Sequence, residues 1–331
     1  MRIPSRYSRI TTCLGLAALI AGAVTPALGQ EDPAKYPSRP IHLIVGFAAG
    51  GGNDIIARVF GQKLSESLGQ PVIIENKPGA GAMLATEYVA RSAPDGYTLL
   101  VGASGAMTIS PAVYEKINYD TMRDFKPVSS LGSFPLILIV NAKSEFKSLA
   151  DLVTYAKANP DKTNYSSSSA AFQLATELFK QKTGAPMQMI PYKGANDSVT
   201  AVISGEVTAT IADAGPVISQ VNGGLARALA VAAPTRAESL PDVPTMKEAG
   251  ADVEAVLWSG IFVPAATPPE IIRKLEAEFV RIARLPDVVA RLKLLNIDSV
   301  GNSSEEFSRI IAADLERWRA VARAGNIKMA Q

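Results

Sequence analysis

A run of small residues between an apolar segment and a helical pattern forms a possible anion site. Residues 46–54 read GFAAGGGND and directly follow the apolar segment Ile41–Val45. Consecutive glycines let backbone N–H groups turn inward, and the following helix adds unpaired N–H groups and the positive end of its dipole. Such a loop binds anions without a charged side chain, although a plain strand-to-helix turn is the alternative. Asp54 is predicted to cap the helix by accepting from backbone N–H groups two or three residues further on.

Polar residues at the ends of other predicted strands could reach the same ligand. Ser104 follows the third strand, four serines occupy residues 166–169 before a helix, and a Pro-Tyr-Lys-Gly segment lies at 191–194. Hydroxyl and N–H groups crowded at the start of a helix make a second surface that suits an anion. Asp213 follows another strand, and its carboxylate would suit a ligand hydroxyl or ammonium, unless it only caps a helix.

Residues for catalysis or metal binding are scarce. His42 is the only histidine and lies inside the first apolar strand, and Cys13 is the only cysteine. With these residues, a catalytic nucleophile could be paired with a histidine base only if that base were His42. Metal sites built from several histidines or thiolates are excluded as well. The sequence therefore predicts a protein that is not an enzyme and that uses no cofactor or metal.

A dinucleotide site is the rival interpretation of the glycine-rich loop. Glu75 ends the second predicted strand 25 residues beyond Gly50, near the usual offset of an acidic residue that binds ribose. The spacing G-x-G-x-x-G is not met, because Ile55 occupies the position of the final small residue. We therefore disfavour this interpretation.

The first 29 residues have the three-part layout of a secretory signal peptide. Three arginines make a basic start, an uninterrupted apolar stretch covers residues 13–24, and a small-x-small end follows at 27–29. The apolar stretch is shorter than the roughly 20 residues that a membrane-spanning helix needs. We expect cleavage after Gly29 and a mature protein in the periplasm.

Cleavage would change the size and the charge of the chain. Removing 29 of 331 residues leaves 302, a length that suits two lobes better than one core. Three arginines leave with the signal, so the formal net charge falls from +2 to −1. The mature chain then lacks the basic runs that bind nucleic acid, and without Cys13 it can form no disulfide.

Short apolar runs alternate with helical patterns along the mature chain. Alternation of this kind predicts an α/β fold in two lobes, each with a mostly parallel sheet flanked by helices, and a ligand crevice at the carboxyl ends of strands. The predicted strands cover residues 41–45, 72–75, 98–102, 136–140, 164–166, 187–192, 207–212 and 226–232. The predicted helices cover residues 55–68, 82–93, 149–158, 171–183 and 198–204, and amphipathic helices at 271–282 and 307–318 end the chain.

Several short motifs occur along the chain, and their order and spacing taken together are highly specific. They are FAAGGGND at 47–54, ENKPGAG at 75–81, APDGYTLL at 93–100, PYKG at 191–194, LPDVPT at 240–245, EAG at 248–250, WSG at 258–260 and PAATPP at 264–269. With them the chain resembles the substrate-binding proteins of tripartite tricarboxylate transporters, the Bug family. The resemblance runs from about Tyr36 to the C terminus.

The resemblance implies a type II periplasmic binding protein in which two lobes close on a hinge. Residues 30–137 with 258–331 would form one lobe and residues 138–257 the other. The ligand would be a small organic carboxylate: a di- or tricarboxylate, or an aromatic carboxylate. Its partners would be membrane subunits of such a transporter or a sensor kinase, with the receptor a monomer. The loops and the resemblance together assign the ligand site to Phe47, Ala48, Ala49, Gly50, Gly51, Asp54, Ser104, Ser167, Ser168, Ser169, Tyr192, Lys193, Gly194 and Asp213.

The chain departs from the family pattern near the expected ligand. Gly46 stands in place of the usual proline, the serines at 166–169 replace a glycine-containing loop, and Gln173 replaces a common histidine. The sequence also offers no arginine near these loops for a bidentate clamp, which favours binding by neutral dipoles and water. These features leave the identity of the carboxylate open.

Two alternatives come from other classes of protein. A secreted enzyme that acts on a small carboxylate or ester would have to use Asp54, Lys193 or Asp213 as its base. A structural protein of the cell envelope would bind no small ligand.

Overall fold

The structure, a computed structural model, describes residues 33–329, in which strands and helices alternate as predicted. The predicted signal peptide at residues 1–29 lies outside the described residues. The strands are β1 (Ile41–Val45), β2 (Val72–Asn76), β3 (Thr98–Ala103), β4 (Phe125–Asn141), β5 (Asn164–Ser167), β6 (Gln188–Pro191), β7 (Ala209–Asp213), β8 (Ala226–Val231), β9 (Val256–Pro264) and β10 (Asp298–Ser299). The α-helices are α1 (Gly52–Leu68), α2 (Met83–Ala90), α3 (Ser110–Val113), α4 (Thr121–Asp124), α5 (Leu149–Ala158), α6 (Ala170–Thr183), α7 (Ala195–Ser204), α8 (Ala214–Asn222), α9 (Pro269–Ala283), α10 (Pro286–Lys293) and α11 (Ser304–Ala324). A π-helix, Gly105–Ile109, joins β3 to α3.

The strands form a mixed, curled sheet in the order β2-β1-β3-β9-β4-β7-β5-β6, with β8 and β10 pairing with β4 off this path. Strands β2, β1 and β3 run parallel to one another, as do β6, β5 and β7. The strands between these two parallel groups pair antiparallel with them. Each half of the sheet is therefore parallel at its outer strands and antiparallel where the halves meet.

Two strands connect the halves of the sheet. Residues of β4 from Phe125 to Pro135 pair with β9, and those from Leu136 to Val140 pair with β7. The second segment also pairs with β8. Residues 136–140 are almost completely buried, as expected for an apolar run covered on both faces. The parallel strands of both halves direct their carboxyl ends toward the crossing, so the loops that follow them meet there.

The last helix, α11, packs into both halves of the molecule. Its first part buries Phe307 and Ile311 in a core with β3, β9 and α2. Its last part buries Trp318 and Val321 in a second core, which is built mainly from α5, α6 and the middle strands. The Gln181 side chain of α6 donates to the Val321 carbonyl at 3.1 Å. Helix α11 is thus a third connection between the halves, beside β4 and β9.

Most predicted elements are confirmed to within a few residues, and the errors are omissions. Strands β9 and β10 and the first half of β4 were not predicted. The π-helix and helices α3, α4, α8 and α10 were not predicted either. No helix within residues 33–329 has the length and apolar character needed to cross a lipid bilayer.

Candidate functional site

A cavity of about 660 Å³ lies where the carboxyl ends of the parallel strands meet. The loops after β1, β2, β3, β5, β6 and β7 line it, together with the start of β9 and Met329, the last residue that the structure describes. Met329 reaches the cavity because its N–H donates to the Val113 carbonyl at 3.0 Å, next to Tyr114. The cavity thus occupies the crevice where α/β folds of this kind bind ligands.

The lining combines neutral polar groups with apolar surface. Among the described residues that line the cavity none is Lys, Arg or His, and Asp213 is the only acidic one. The polar lining residues are Asn53, Ser104, Ser110, Tyr114, Ser167, Ser168, Ser169, Gln173, Tyr192 and Ser259. The large apolar ones are Phe47, Ile109, Phe134, Met189, Leu257, Trp258 and Met329. An anion bound here would have to be held by hydroxyl, amide and backbone N–H donors.

The glycine-rich loop presents the start of α1 to the cavity through Gly52 and Asn53. The first N–H groups of a helix have no intrahelical acceptor, so this end can receive an anion. Gly51 occupies the N-cap position with no side-chain bond to the helix. The predicted N-cap role of Asp54 is therefore wrong: Asp54 lies in the first turn of the helix.

Asp54 instead stabilises the glycine-rich loop from outside the cavity. Its carboxylate is 2% exposed and accepts from the Gly50 N–H at 2.8 Å, from Arg58 Nε at 2.9 Å and from Asn76 Nδ2 at 2.9 Å. Gly50 has a φ of 87°, a left-handed conformation that glycine adopts without strain. Burial raises the pKa of Asp54, but the hydrogen bonds from Arg58, Gly50 and Asn76 outweigh it and lower that pKa overall.

Asp54→Asn should destabilise the protein by about 1–2 kcal/mol at pH 7, because the amide cannot accept all of these charge-assisted bonds. The pKa of Asp54 is lowered on folding, so its contribution is fully present above the unfolded value of about 3.9 and is lost as pH falls through the folded value. Urea titrations of wild type and variant should therefore differ at pH 7, and the difference should shrink as pH falls below the unfolded value and through the lower folded one. A constant difference across this range would contradict the assignment.

The start of β9 forms one wall of the cavity and is held by polar contacts. Ser104 Oγ, at the end of β3, accepts from the Trp258 N–H at 3.2 Å. The Ser259 hydroxyl bonds the Asn53 side chain. Trp258 Nε1 donates to the buried Asp314 carboxylate at 2.8 Å, and its ring meets Phe307 edge-on at 5.0 Å. Trp258 is therefore fixed in one orientation beside the cavity.

The serine run forms the facing wall at the start of α6. Ser169 occupies the N-cap position and accepts from the Phe172 N–H at 3.5 Å. Ser167 donates from its hydroxyl to the Ser169 carbonyl at 3.1 Å, and its own carbonyl accepts from the Tyr192 N–H at 2.8 Å. Ser168 is half-buried, and its hydroxyl has no hydrogen bond to the described residues. Its hydroxyl is therefore free to bond a ligand.

Asp213 ends β7 and faces the cavity. It occupies the N-cap position of α8, yet its side chain accepts no bond from the helix. Its Oδ1 atom is buried and finds no hydrogen-bond partner among residues 33–329. Burial raises the pKa of the Asp213 carboxyl. The cap that we considered as an alternative role for this residue is thus not formed.

The structure brings together half of the predicted site residues. Phe47, Ser104, Ser167, Ser168, Ser169, Tyr192 and Asp213 line the cavity, whereas Ala48, Ala49, Gly50, Gly51, Asp54, Lys193 and Gly194 do not. Among the latter, Lys193 is exposed and Gly194 caps α7. Three lining residues were not predicted as site residues. Asn53 stands in the glycine-rich loop, and Trp258 and Ser259 belong to the WSG motif. No sequence pattern indicated that Tyr114 or Met329 would line the cavity. No group of three or more acidic, histidine or cysteine residues that could hold a metal occurs within the described part.

Comparison with known proteins identifies the family. The profile described as "Tripartite tricarboxylate transporter family receptor" matches residues 56–327. The chain belongs to this family. It is 34% identical over 326 residues to Protein BugT of Bordetella pertussis, with 97% of this chain and 99% of that protein covered. The predicted family is confirmed, and membership indicates a periplasmic receptor that works with membrane transporter subunits.

Solved structures confirm the two-lobed fold of this receptor. It is similar to the R. palustris protein Rpa4515 solved with adipate, with 32% identity, a TM-score of 0.75, and 88% of this chain and 99% of that chain covered. MatC from Rhodopseudomonas palustris, solved with bound malate, is 29% identical, with a TM-score of 0.71 and coverage of 86% and 99%. A TctC solute-binding protein from Polaromonas, solved without ligand, is 28% identical, with a TM-score of 0.79 and coverage of 87% and 99%.

Proposed function

We propose that this receptor captures a small organic carboxylate in its cavity and delivers it to membrane subunits of a tripartite tricarboxylate transporter. A di- or tricarboxylate or an aromatic carboxylate is the proposed class of ligand. The observation that carries the proposal is a cavity with neutral hydrogen-bond donors and the N-terminal end of α1 in its wall, and with no basic residue from the described part of the chain. Backbone and hydroxyl dipoles can hold a carboxylate in this way. Family relatives solved with adipate and malate support the proposal.

The proposed capture step is closure of two lobes about β4 and β9. One lobe would comprise residues 30–137 and 258–331 and the other residues 138–257. In this division the glycine-rich loop and Ser104 belong to the first lobe, and the serine run, Tyr192 and Asp213 to the second. A ligand that touches both sets stabilises the closed form, because only then are all donors engaged.

Export, assembly and the partner complete the proposal. We propose that residues 1–29 are removed on export and that the receptor acts as a monomer in the periplasm. A sensor kinase is the second candidate partner for the loaded receptor. We propose no catalytic role, because the family that the chain belongs to consists of transporter receptors.

A screen of carboxylates by thermal shift and calorimetry tests this function. A ligand present at 100 times its Kd should stabilise the folded receptor by about 2.7 kcal/mol, which raises Tm by a few degrees. Calorimetry should give one site per chain, and the recovered ligand should be chemically unchanged. If no di-, tri- or aromatic carboxylate shifts Tm, the proposed function is wrong. Release of a product would support the secreted enzyme instead.

A further inference from the structure

Asp213 is a half-buried acid inside a cavity proposed to receive an anion. No other charged residue among positions 33–329 lines the cavity, so none of them neutralises its carboxylate. Its Oδ1 atom is shielded from solvent and bonds none of the described residues. A buried carboxylate oxygen without a donor costs folding free energy, so such atoms usually have a partner. The partner here has to come from water or from the ligand.

Neither strand β7 nor helix α8 depends on a hydrogen bond from the Asp213 side chain. The residue is paired in the ladder between β7 and β4, opposite Leu136, so its backbone is fixed without the side chain. Helix α8 begins at Ala214 and takes no bond from the carboxylate. A residue at an N-cap position normally accepts from that helix. The side chain of Asp213 is instead left available to the cavity.

The donors suited to a ligand carboxylate lie on other elements. The start of α1 contributes Gly52 and Asn53, and the loop after β5 contributes Ser168. These groups donate, whereas an ionised Asp213 only accepts. A ligand that satisfies both kinds of group carries a carboxylate at one end and a hydrogen-bond donor where it meets Asp213.

We infer that Asp213 selects ligands that bear, besides their carboxylate, a hydroxyl or ammonium group directed at its Oδ1 atom. The inference rests on the proposed carboxylate-binding function and adds a second requirement for the ligand. A second carboxylate at this position would place two like charges together in a poorly solvated site, which disfavours binding. A hydroxyl or ammonium there would supply the missing donor.

Two matched ligand series test the inference by calorimetry at pH 7.5. One consists of adipate, 6-hydroxyhexanoate and 6-aminohexanoate, and the other of succinate, 4-hydroxybutanoate and 4-aminobutanoate. In at least one series, the hydroxy or amino member should bind at least tenfold more tightly than the dicarboxylate. Comparing the hydroxy and amino members shows which donor the site prefers. A dicarboxylate that binds as well as both of its partners, or binding of none of the six, would overturn the inference.

The Asp213→Asn variant makes the test specific to this side chain. Asparagine keeps the shape but removes the charge, so binding of the preferred hydroxy or amino ligand should weaken at least tenfold. The dicarboxylate should bind no worse than to wild type. Asp197→Asn, at an exposed acid outside the cavity, is the matched control and should change neither affinity. If Asp213→Asn fails to fold, the two series on wild type decide alone. The proposed function itself fails only if the wider carboxylate screen also finds no ligand.

Discussion

Gly105→Leu should weaken ligand binding by about 10- to 100-fold while leaving the fold intact. Gly105 lines the cavity at the start of the π-helix, directly after Ser104. A Cβ atom added at Gly105 would meet no heavy atom within 4 Å. A leucine side chain would therefore extend into the space that a ligand needs. Crowding of this size costs about 1–3 kcal/mol, which corresponds to the stated loss of affinity.

Calorimetry with the tightest carboxylate from the screen measures this loss, and urea denaturation measures stability. Gly105 does not have a positive φ, so the substitution adds no backbone strain. Stability should therefore stay within about 0.5 kcal/mol of wild type. Gly105→Ala is the graded control: one methyl group leaves most of the 660 Å³ free and should change affinity only slightly. A leucine variant with wild-type affinity would mean that the ligand binds elsewhere.

Asp314→Ala should lower the free energy of unfolding by about 3–5 kcal/mol and should also weaken binding. The Asp314 side chain is 7% exposed and accepts from Trp258 Nε1 at 2.8 Å and from the Arg317 guanidinium at 2.5 Å. Burial raises the pKa of this carboxyl, and the Arg317 charge and both hydrogen bonds act to lower it. Alanine leaves Arg317, which is one-third exposed, without its ion-pair partner and removes a buried hydrogen-bond acceptor, and the two losses together explain the large cost. The Trp258 N–H would also lose its acceptor, so the cavity wall would loosen.

Two variants separate the contributions at Asp314. Asp314→Asn keeps an oxygen acceptor for Trp258 but loses the charge beside Arg317. Its free energy of unfolding should therefore lie between those of wild type and Asp314→Ala. Glu316→Ala, at an exposed position on the same helix, should change stability by less than about 0.5 kcal/mol. Tryptophan fluorescence should shift in Asp314→Ala, since Trp258 is one of only two tryptophans. Equal stability of Asp314→Ala and Glu316→Ala would refute the role assigned to Asp314.

Strands with continuous apolar runs could be predicted from the sequence, whereas the connecting strands could not. Residues 136–140 read LILIV and were recognised as the buried part of β4. The first part of the same strand reads FKPVSSLGSFP, in which proline, glycine and serine suppress the usual strand signal. Pairing with β9 imposes the extended conformation there. Tertiary contacts therefore override local preference at the strands that join the two halves.

The candidate site was predictable where it is local and unpredictable where it is assembled from distant segments. The loops after β1, β3, β5 and β7 follow their strands directly, so the sequence indicates which residues reach the crevice. The direction of a side chain is not indicated, and Asp54 shows this by turning behind the loop to bond Gly50. Met329 reaches the cavity from the far end of the chain through a bond to Val113. No short-range pattern encodes such an approach.

Helix α11 has a consequence for the order in which the receptor can mature. It supplies Phe307 and Ile311 to one core and Trp318 and Val321 to the other. The ribosome makes this helix after every other strand and helix of the described residues, so both cores lack one wall until it exists. Early completion of one half during synthesis, common when each unit is continuous in the chain, is therefore prevented. The folding of the two halves is thus coupled through one shared helix.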